Sequence, residues 1–240
     1  MRYLLLLFVF CAAFSAATAD DIVSMPTANQ LKAGQVDVAA YYFWLKNPST
    51  GPQAGPQYDQ LQTLYLGLTD RIELDAHRSA VDYPADETSV VLVGSFKVLS
   101  ESATKPDLVF GCKNLGGVAT TENDPRTAVD EREKSKDRSY FLSGAKTLFL
   151  KPGLMGPPLV RVHLSLGTAD WTMMGEARHK GIFGGLQFLF MPQLGAVIQH
   201  DGTDLITGIT YMPANTGLTI KGGTFGDHKW FGLAWRYTLK

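Results

Sequence analysis

The sequence predicts an all-β protein, an antiparallel up-and-down transmembrane β-barrel of about 12 strands. Three observations predict it. Segments of roughly ten residues, rich in β-branched and aromatic types and bounded by Gly, Pro, Asn or Asp, recur along the chain. These segments are long, since a tilted membrane strand needs about 9–11 residues whereas globular strands cluster near 5–6. The connections between them also alternate in length, as in a barrel with short turns on one side and longer loops on the other.

The chain opens with a leader. Arg2 gives a positive start, Leu4 to Phe14 an apolar run, and Ala17-Thr18-Ala19 a small-residue cleavage site. Residues 1–19 are therefore expected to be removed as a signal peptide, leaving 20–240 as a single barrel domain that begins at Asp20. Cys11 departs with the leader and leaves Cys112 alone, so no disulfide within the chain is expected. After Asp20 no apolar run approaches the length of a membrane-spanning helix.

The expected strands are 35–46, 59–68, 71–81, 89–100, 107–114, 139–149, 159–168, 181–191, 194–200, 204–212, 217–224 and 229–239. The last alternates most cleanly: Phe231, Leu233, Trp235, Tyr237 and Leu239 form one face, expected to meet lipid, against Trp230, Gly232, Ala234, Arg236 and Thr238. Segment 159–168 sets Val160, Val162, Leu164 and Leu166 against Arg161, His163, Ser165 and Gly167, and segment 71–81 sets Ile72, Leu74 and Ala76 against Glu73, Asp75 and His77. The inward face of 59–68, 139–149 and 204–212 is ambiguous. Tyr42 and Trp44 late in the first strand, with Trp235 and Tyr237 late in the last, suit an interfacial aromatic girdle. An even strand count returns both termini to one side, which places the longer, odd-numbered connections outside the cell. Among these, 47–58 is Pro/Gly-rich and uncharged, and 122–138 is a mixed-charge run read as a solvated loop.

Three clusters resemble YjbH-type bacterial outer-membrane barrels, associated with exopolysaccharide production, in their short single-barrel form. They are Met25-Pro26-Thr27-Ala28 with Leu31 and Gly34; Tyr65-Leu66-Gly67-Leu68-Thr69-Asp70-Arg71-Ile72-Glu73-Leu74; and Val197-Ile198-Gln199-His200-Asp201-Gly202-Thr203-Asp204 followed by Gly208-Ile209-Thr210-Tyr211-Met212-Pro213. The resemblance implies the outer membrane of a Gram-negative bacterium. It also implies a link to polysaccharide export and no catalytic residues.

The inward faces nominate Asp37, Glu73, Asp75, His77, Lys97, Lys113, Lys146, Arg161, His163, Lys221 and Arg236 as lumen-lining. Buried charges persist only when paired, so a polar network filling a narrow barrel is expected; an open pore with this excess of cations would favour anions. Glu73 is expected near Lys97, and Asp37 near Arg236 where the first and last strands must close the sheet. Glu73, Asp75 and His77 stand about 6.6–7 Å apart along one strand, too far to converge on a zinc ion. No metal or other cofactor is expected.

His163 and Ser165 share a face, but no third orienting group, G-x-S-x-G elbow or phosphate-binding glycine loop accompanies them. The 22 Lys and Arg balance 23 Asp and Glu, which disfavours nucleic acid. The expected function is a narrow channel or envelope scaffold rather than an enzyme, with outer-membrane lipid, the barrel-assembly machinery and polysaccharide or envelope proteins as partners. Two alternatives stand beside it: a barrel enzyme acting on lipid through outward Ser and His, and a secreted soluble β-sandwich that binds carbohydrate.

Overall fold

A computed structural model describes residues 26–45, 57–81, 87–117, 136–149, 159–170 and 178–239. It contains twelve strands: β1 (Gln35–Leu45), β2 (Gln57–Gly67), β3 (Ile72–Val81), β4 (Glu87–Leu99), β5 (Asp107–Lys113), β6 (Ser139–Phe149), β7 (Leu159–Gly167), β8 (Gly181–Met191), β9 (Leu194–His200), β10 (Leu205–Tyr211), β11 (Leu218–Phe225) and β12 (His228–Thr238). Each pairs antiparallel with its sequence neighbours, and β1 pairs with β12, so the sheet closes on itself. Every boundary lies within two residues of the sequence expectation. β5 and β10 are shorter than expected, at seven residues each, and β9 has the seven residues expected of it. Closure excludes the two-sheet sandwich. The leader, most of 47–58 and most of 122–138 lie outside the described residues.

A strand turns successive side chains to opposite faces, and the burial pattern records which face is which. β7 reads Arg161, His163 and Ser165 buried against exposed Leu164 and Leu166; β12 reads Trp230, Gly232 and Ala234 buried against exposed Phe231, Leu233, Trp235 and Tyr237. The outer surface is apolar. Ile182, Leu164 and Ile209 are 70, 63 and 61% exposed, values that in water would mark a failed core but that hydrocarbon satisfies. At the end of the barrel that carries Gln35 and Thr238, here the lower end, outward Phe96, Phe149, Phe190, Tyr211, Trp235 and Tyr237 form a belt; Tyr42, Trp44 and Tyr140 lie near the upper end. The fold is that of a transmembrane barrel.

The interior is filled. One apolar cluster joins Tyr41, Phe43, Leu61, Val197, Ile206, Phe225 and Trp230, and a second joins Ala28, Val91, Val93, Val109, Phe141, Ala145 and Phe183. Glycines make room for the rings: Tyr41 pairs across the sheet with Gly232, and Phe141 with Gly111. A Cβ on either glycine would stand 2.4 or 2.1 Å from the ring above it.

Ala28 does not belong to the wall. Residues 26–33 precede β1 and run back up inside the barrel, where Pro26, Thr27, Ala28 and Leu31 are buried.

Candidate functional site: a filled, charge-balanced lumen

The lumen is built in tiers. At the lower rim Arg161 of β7 sets one guanidinium nitrogen 2.7 Å from Glu101 and the other 2.8 Å from Asp107. Thr147 donates its amide to the Glu101 carboxylate at 2.7 Å. Burial would raise the Glu101 carboxyl, but the Thr147 amide and the Arg161 guanidinium outweigh it and hold the group below its ordinary range. Lys97 lies 4.0 Å from Asp107. Elsewhere on this rim Arg236 binds Asp37 at 2.7 Å across the β1–β12 seam, directly opposite in register.

In the middle tier the hydroxyls of Ser143 and Ser165, 2.7 Å apart, converge on the Pro26 carbonyl at 3.1 and 3.2 Å. Lys221 is buried with its ammonium 3.4 Å from the Tyr41 hydroxyl. The Glu73 carboxylate accepts the Leu31 amide at 2.6 Å. A cavity of about 20 Å³, room for a water molecule, is lined in part by Tyr65, Glu73, Asp75, His77, Lys113 and Asn29.

The upper tier comes from connections that fold inward over the strands. Asp170 and Arg178 form a backbone bridge, and both side chains are buried. Asp170 accepts Lys113 at 3.0 Å and lies 3.2 Å from the His179 imidazole. Arg178 reaches Asp201 at 2.7 Å and Asp204 at 3.0 Å, with its guanidinium 4.5 Å above the Phe225 ring. Asp201 also accepts the amides of Thr203 and Asp204 with its other oxygen, so one side chain both shapes the turn and holds the arginine. Burial pushes His179 below its ordinary 6.5.

Of the residues nominated from sequence, Asp37, Glu73, Asp75, His77, Lys97, Lys113, Arg161, His163, Lys221 and Arg236 sit on inward faces. Lys146 does not. It shares the outward face of β6 with Leu142 and Leu148, and its ammonium bends under the rim to the carbonyls of Ser102, Ala103 and Lys105. Glu73 and Lys97 share the inward face within the expected one pleat, but the expected ion pair between them is corrected. Ser95 stands opposite Glu73, which puts Lys97 one pleat away, and Lys97 turns to Asp107.

The reading of a cation excess fails because it overlooked Glu101, Asp107, Asp170, Asp201 and Asp204. These lie in connections or at a strand's first residue, yet they neutralise Arg161, Lys113 and Arg178. The sequence signal available for them was Asp-Gly turn chemistry at 201–204; for the inner segment it was the absence of charge from Met25 to Leu31. Ser165 and His163 face the lumen, and no hydrogen bond joins them.

No family model matches the sequence, and no curated protein matches it. Among solved structures, the chain is similar to the COG4313 outer membrane channel from Pseudomonas putida F1 at 12% identity, covering 92% of this chain and all of that one with a TM-score of 0.38. It is also similar to the N-terminal β-barrel domain of Pseudomonas aeruginosa OprF at 9% identity, covering 86% of this chain and all of that domain with a TM-score of 0.28.

Proposed function

We propose that the protein spans the outer membrane of a diderm bacterium as a narrow barrel that serves as a restricted conduit or an envelope scaffold, and that it catalyses no reaction. One observation carries this reading: a closed sheet whose outward positions are largely apolar and exposed while its interior, beside two apolar clusters, buries many charged and polar side chains. Closed strand barrels of this kind span outer rather than inner membranes, and the assembly machinery of that membrane is the folding partner this reading requires. In this reading a role in polysaccharide export is exercised through the loops and the envelope proteins they meet. The filled lumen has no room for a sugar polymer. The buried positions of Ser165 and His163 support the absence of lipid chemistry, since neither reaches the outer surface.

Fractionation tests the location. The protein should remain with outer membranes through salt and carbonate washes, and on gels it should migrate faster unheated than boiled. Recovery in the soluble periplasm would overturn the reading. Loss of secreted polysaccharide on deletion of the gene, restored by the intact chain, tests the export role.

A further inference from the structure

Residues 26–33 cross the inside of the barrel, and their contacts follow the order of the wall. Read backwards from Gly34, whose amide donates to Gly67 of β2 at 2.8 Å, the Ala33 amide donates to Asp70 of the β2–β3 turn at 3.1 Å and the Leu31 amide to Glu73 of β3 at 2.6 Å. The Gln30 side-chain amide then donates to Ser95 of β4, and Ala28 lies in the apolar cluster with Val109 of β5, Phe141 of β6 and Phe183 of β8. Last, the Pro26 carbonyl accepts Ser143 of β6 at 3.1 Å and Ser165 of β7 at 3.2 Å. One short stretch thus meets every strand from β2 to β7 in turn. From Ala33 back to Pro26 the wall contributes side chains, so the stretch is held as a ligand is held and adds no strand to the sheet.

The wall also selects what lies on it. Ala28 is 0% exposed within its cluster, which leaves no volume for a longer side chain, and Leu31 is buried at the other end. Pro26 brings a carbonyl for two hydroxyls and no N–H that would need an acceptor in the interior. The Asn29 amide donates to Thr27 Oγ1 at 3.1 Å, so the stretch satisfies one of its own backbone donors. From Pro26 to Leu31 no side chain is charged, and the first charge, Lys32, is exposed.

We propose that the inner wall from β3 to β7 is a binding site for an extended, uncharged peptide of the form Pro-x-Ala-x-x-Leu, and that residues 26–33 are its tethered occupant. The inference goes beyond the conduit-or-scaffold reading and holds for either. Tethering sets the affinity the site requires. A short linker holds its ligand at an effective concentration of about 1 mM, so a peptide with Kd below that value stays docked in the intact chain.

A fluorescein-labelled peptide of residues 26–33, added during refolding of a chain that lacks them, tests this. It should bind saturably with Kd below about 1 mM and raise the urea midpoint of the shortened chain toward that of the full chain. The full chain, whose site is filled, should not bind it. A peptide carrying Ala28→Asp should bind at least about tenfold more weakly, as should the original peptide to a shortened chain carrying Ser143→Ala and Ser165→Ala. In the full chain, Ala28→Leu should open residues 26–33 to proteinase K.

A shortened chain that migrates as a folded barrel yet binds no peptide below about 1 mM overturns the proposal, and so does equal binding of the Ala28→Asp peptide. If the shortened chain does not fold alone, failure of the peptide to restore folding overturns it. Unchanged protection of residues 26–33 in the Ala28→Leu full chain does the same. The binding test runs equally in detergent micelles, so failure of the full chain to enter lipid vesicles counts against the membrane reading alone.

Discussion

Arg236 and Asp37, 199 residues apart in sequence, hold the barrel shut: the guanidinium donates to one carboxylate oxygen through Nη2 at 2.7 Å and Nε at 3.1 Å. The two residues face each other directly in the β1–β12 register, and the Asp37 side chain is almost wholly buried. An unpaired edge in hydrocarbon would leave a row of amides without partners, so the first and last strands must meet. The salt bridge adds a preference for which residues meet. A slip of one residue would turn one of the two charges toward lipid.

Breaking this pair from one side should therefore be costly. Arg236→Met leaves the Asp37 carboxylate buried beside the seam and is expected to lower unfolding stability by about 2–4 kcal/mol, measured by urea unfolding in lipid vesicles. Asp37→Asn, which keeps a hydrogen-bond acceptor, should cost less. Equal, negligible losses would show that strand pairing alone sets the closing register.

This contact was legible in the sequence because Arg236 sits on the cleanly alternating last strand and Asp37 is flanked by Val36 and Val38, so that a period of two turns both charges inward, and because closure requires the first and last strands to pair. Lys146 was misplaced because β6 carries apolar residues on both faces, with Phe141 and Ala145 inside and Leu142 and Leu148 outside, so alternation does not identify its lumen side. The carboxylates of Glu101, Asp170, Asp201 and Asp204 were missed for a different reason. They lie in connections, which have no periodicity, and only the folded path of each connection brings them over the lumen. The inner segment 26–33 was invisible on the same ground: its partners Ser143 and Ser165 are 117 and 139 residues away from Pro26.

The outward face of β12 offers a direct test of what surrounds the barrel. Leu233→Arg places a cation on the apolar surface near mid-strand and is expected to cost about 2–4 kcal/mol in lipid. Ala234→Ser points into the lumen and should cost well under half of that. The same unfolding titrations measure both, and matching small effects would argue against lipid contact at Leu233.

Stability should fall with acid in two stages. His179 is held below its ordinary 6.5, chiefly by burial and next by the Lys113 charge, so the folded state resists a proton that the unfolded chain accepts. Stability is then lost as pH drops below about 6.5, until the folded imidazole itself protonates. For Asp201, burial would raise the carboxyl, but Arg178 and the amides of Asp204 and Thr203 hold it below its ordinary 3.8. Its contribution is present above that value and disappears as pH falls through the lower folded one. Unfolding between pH 8 and 3 should show both declines. His179→Gln should flatten the first, and an unchanged first decline in that variant would assign it elsewhere.

Gly67 ends β2 on its inward side, where residues 31–34 turn into the barrel, and the Gly34 amide donates to the Gly67 carbonyl at 2.8 Å. A Cβ at Gly67 would stand 2.0 Å from the Lys32 carbonyl oxygen and 3.1 Å from the Leu31 Cβ. The nearest of these contacts is with backbone, which no side-chain rotation relieves, so Gly67→Ala must push the inner segment off the wall or distort the end of the strand. The first outcome is expected, because β2 is pinned by full ladders to β1 and β3, whereas the segment is held by a few side-chain hydrogen bonds. In the full chain, Gly67→Ala should lower stability by about 1–3 kcal/mol and increase protease cleavage within residues 26–33. In a chain lacking those residues the methyl group meets no backbone from them, and the same substitution should be nearly neutral. A penalty of equal size in both chains would place the strain in the β2–β3 turn and would mean that Gly67 is not the passage for the segment.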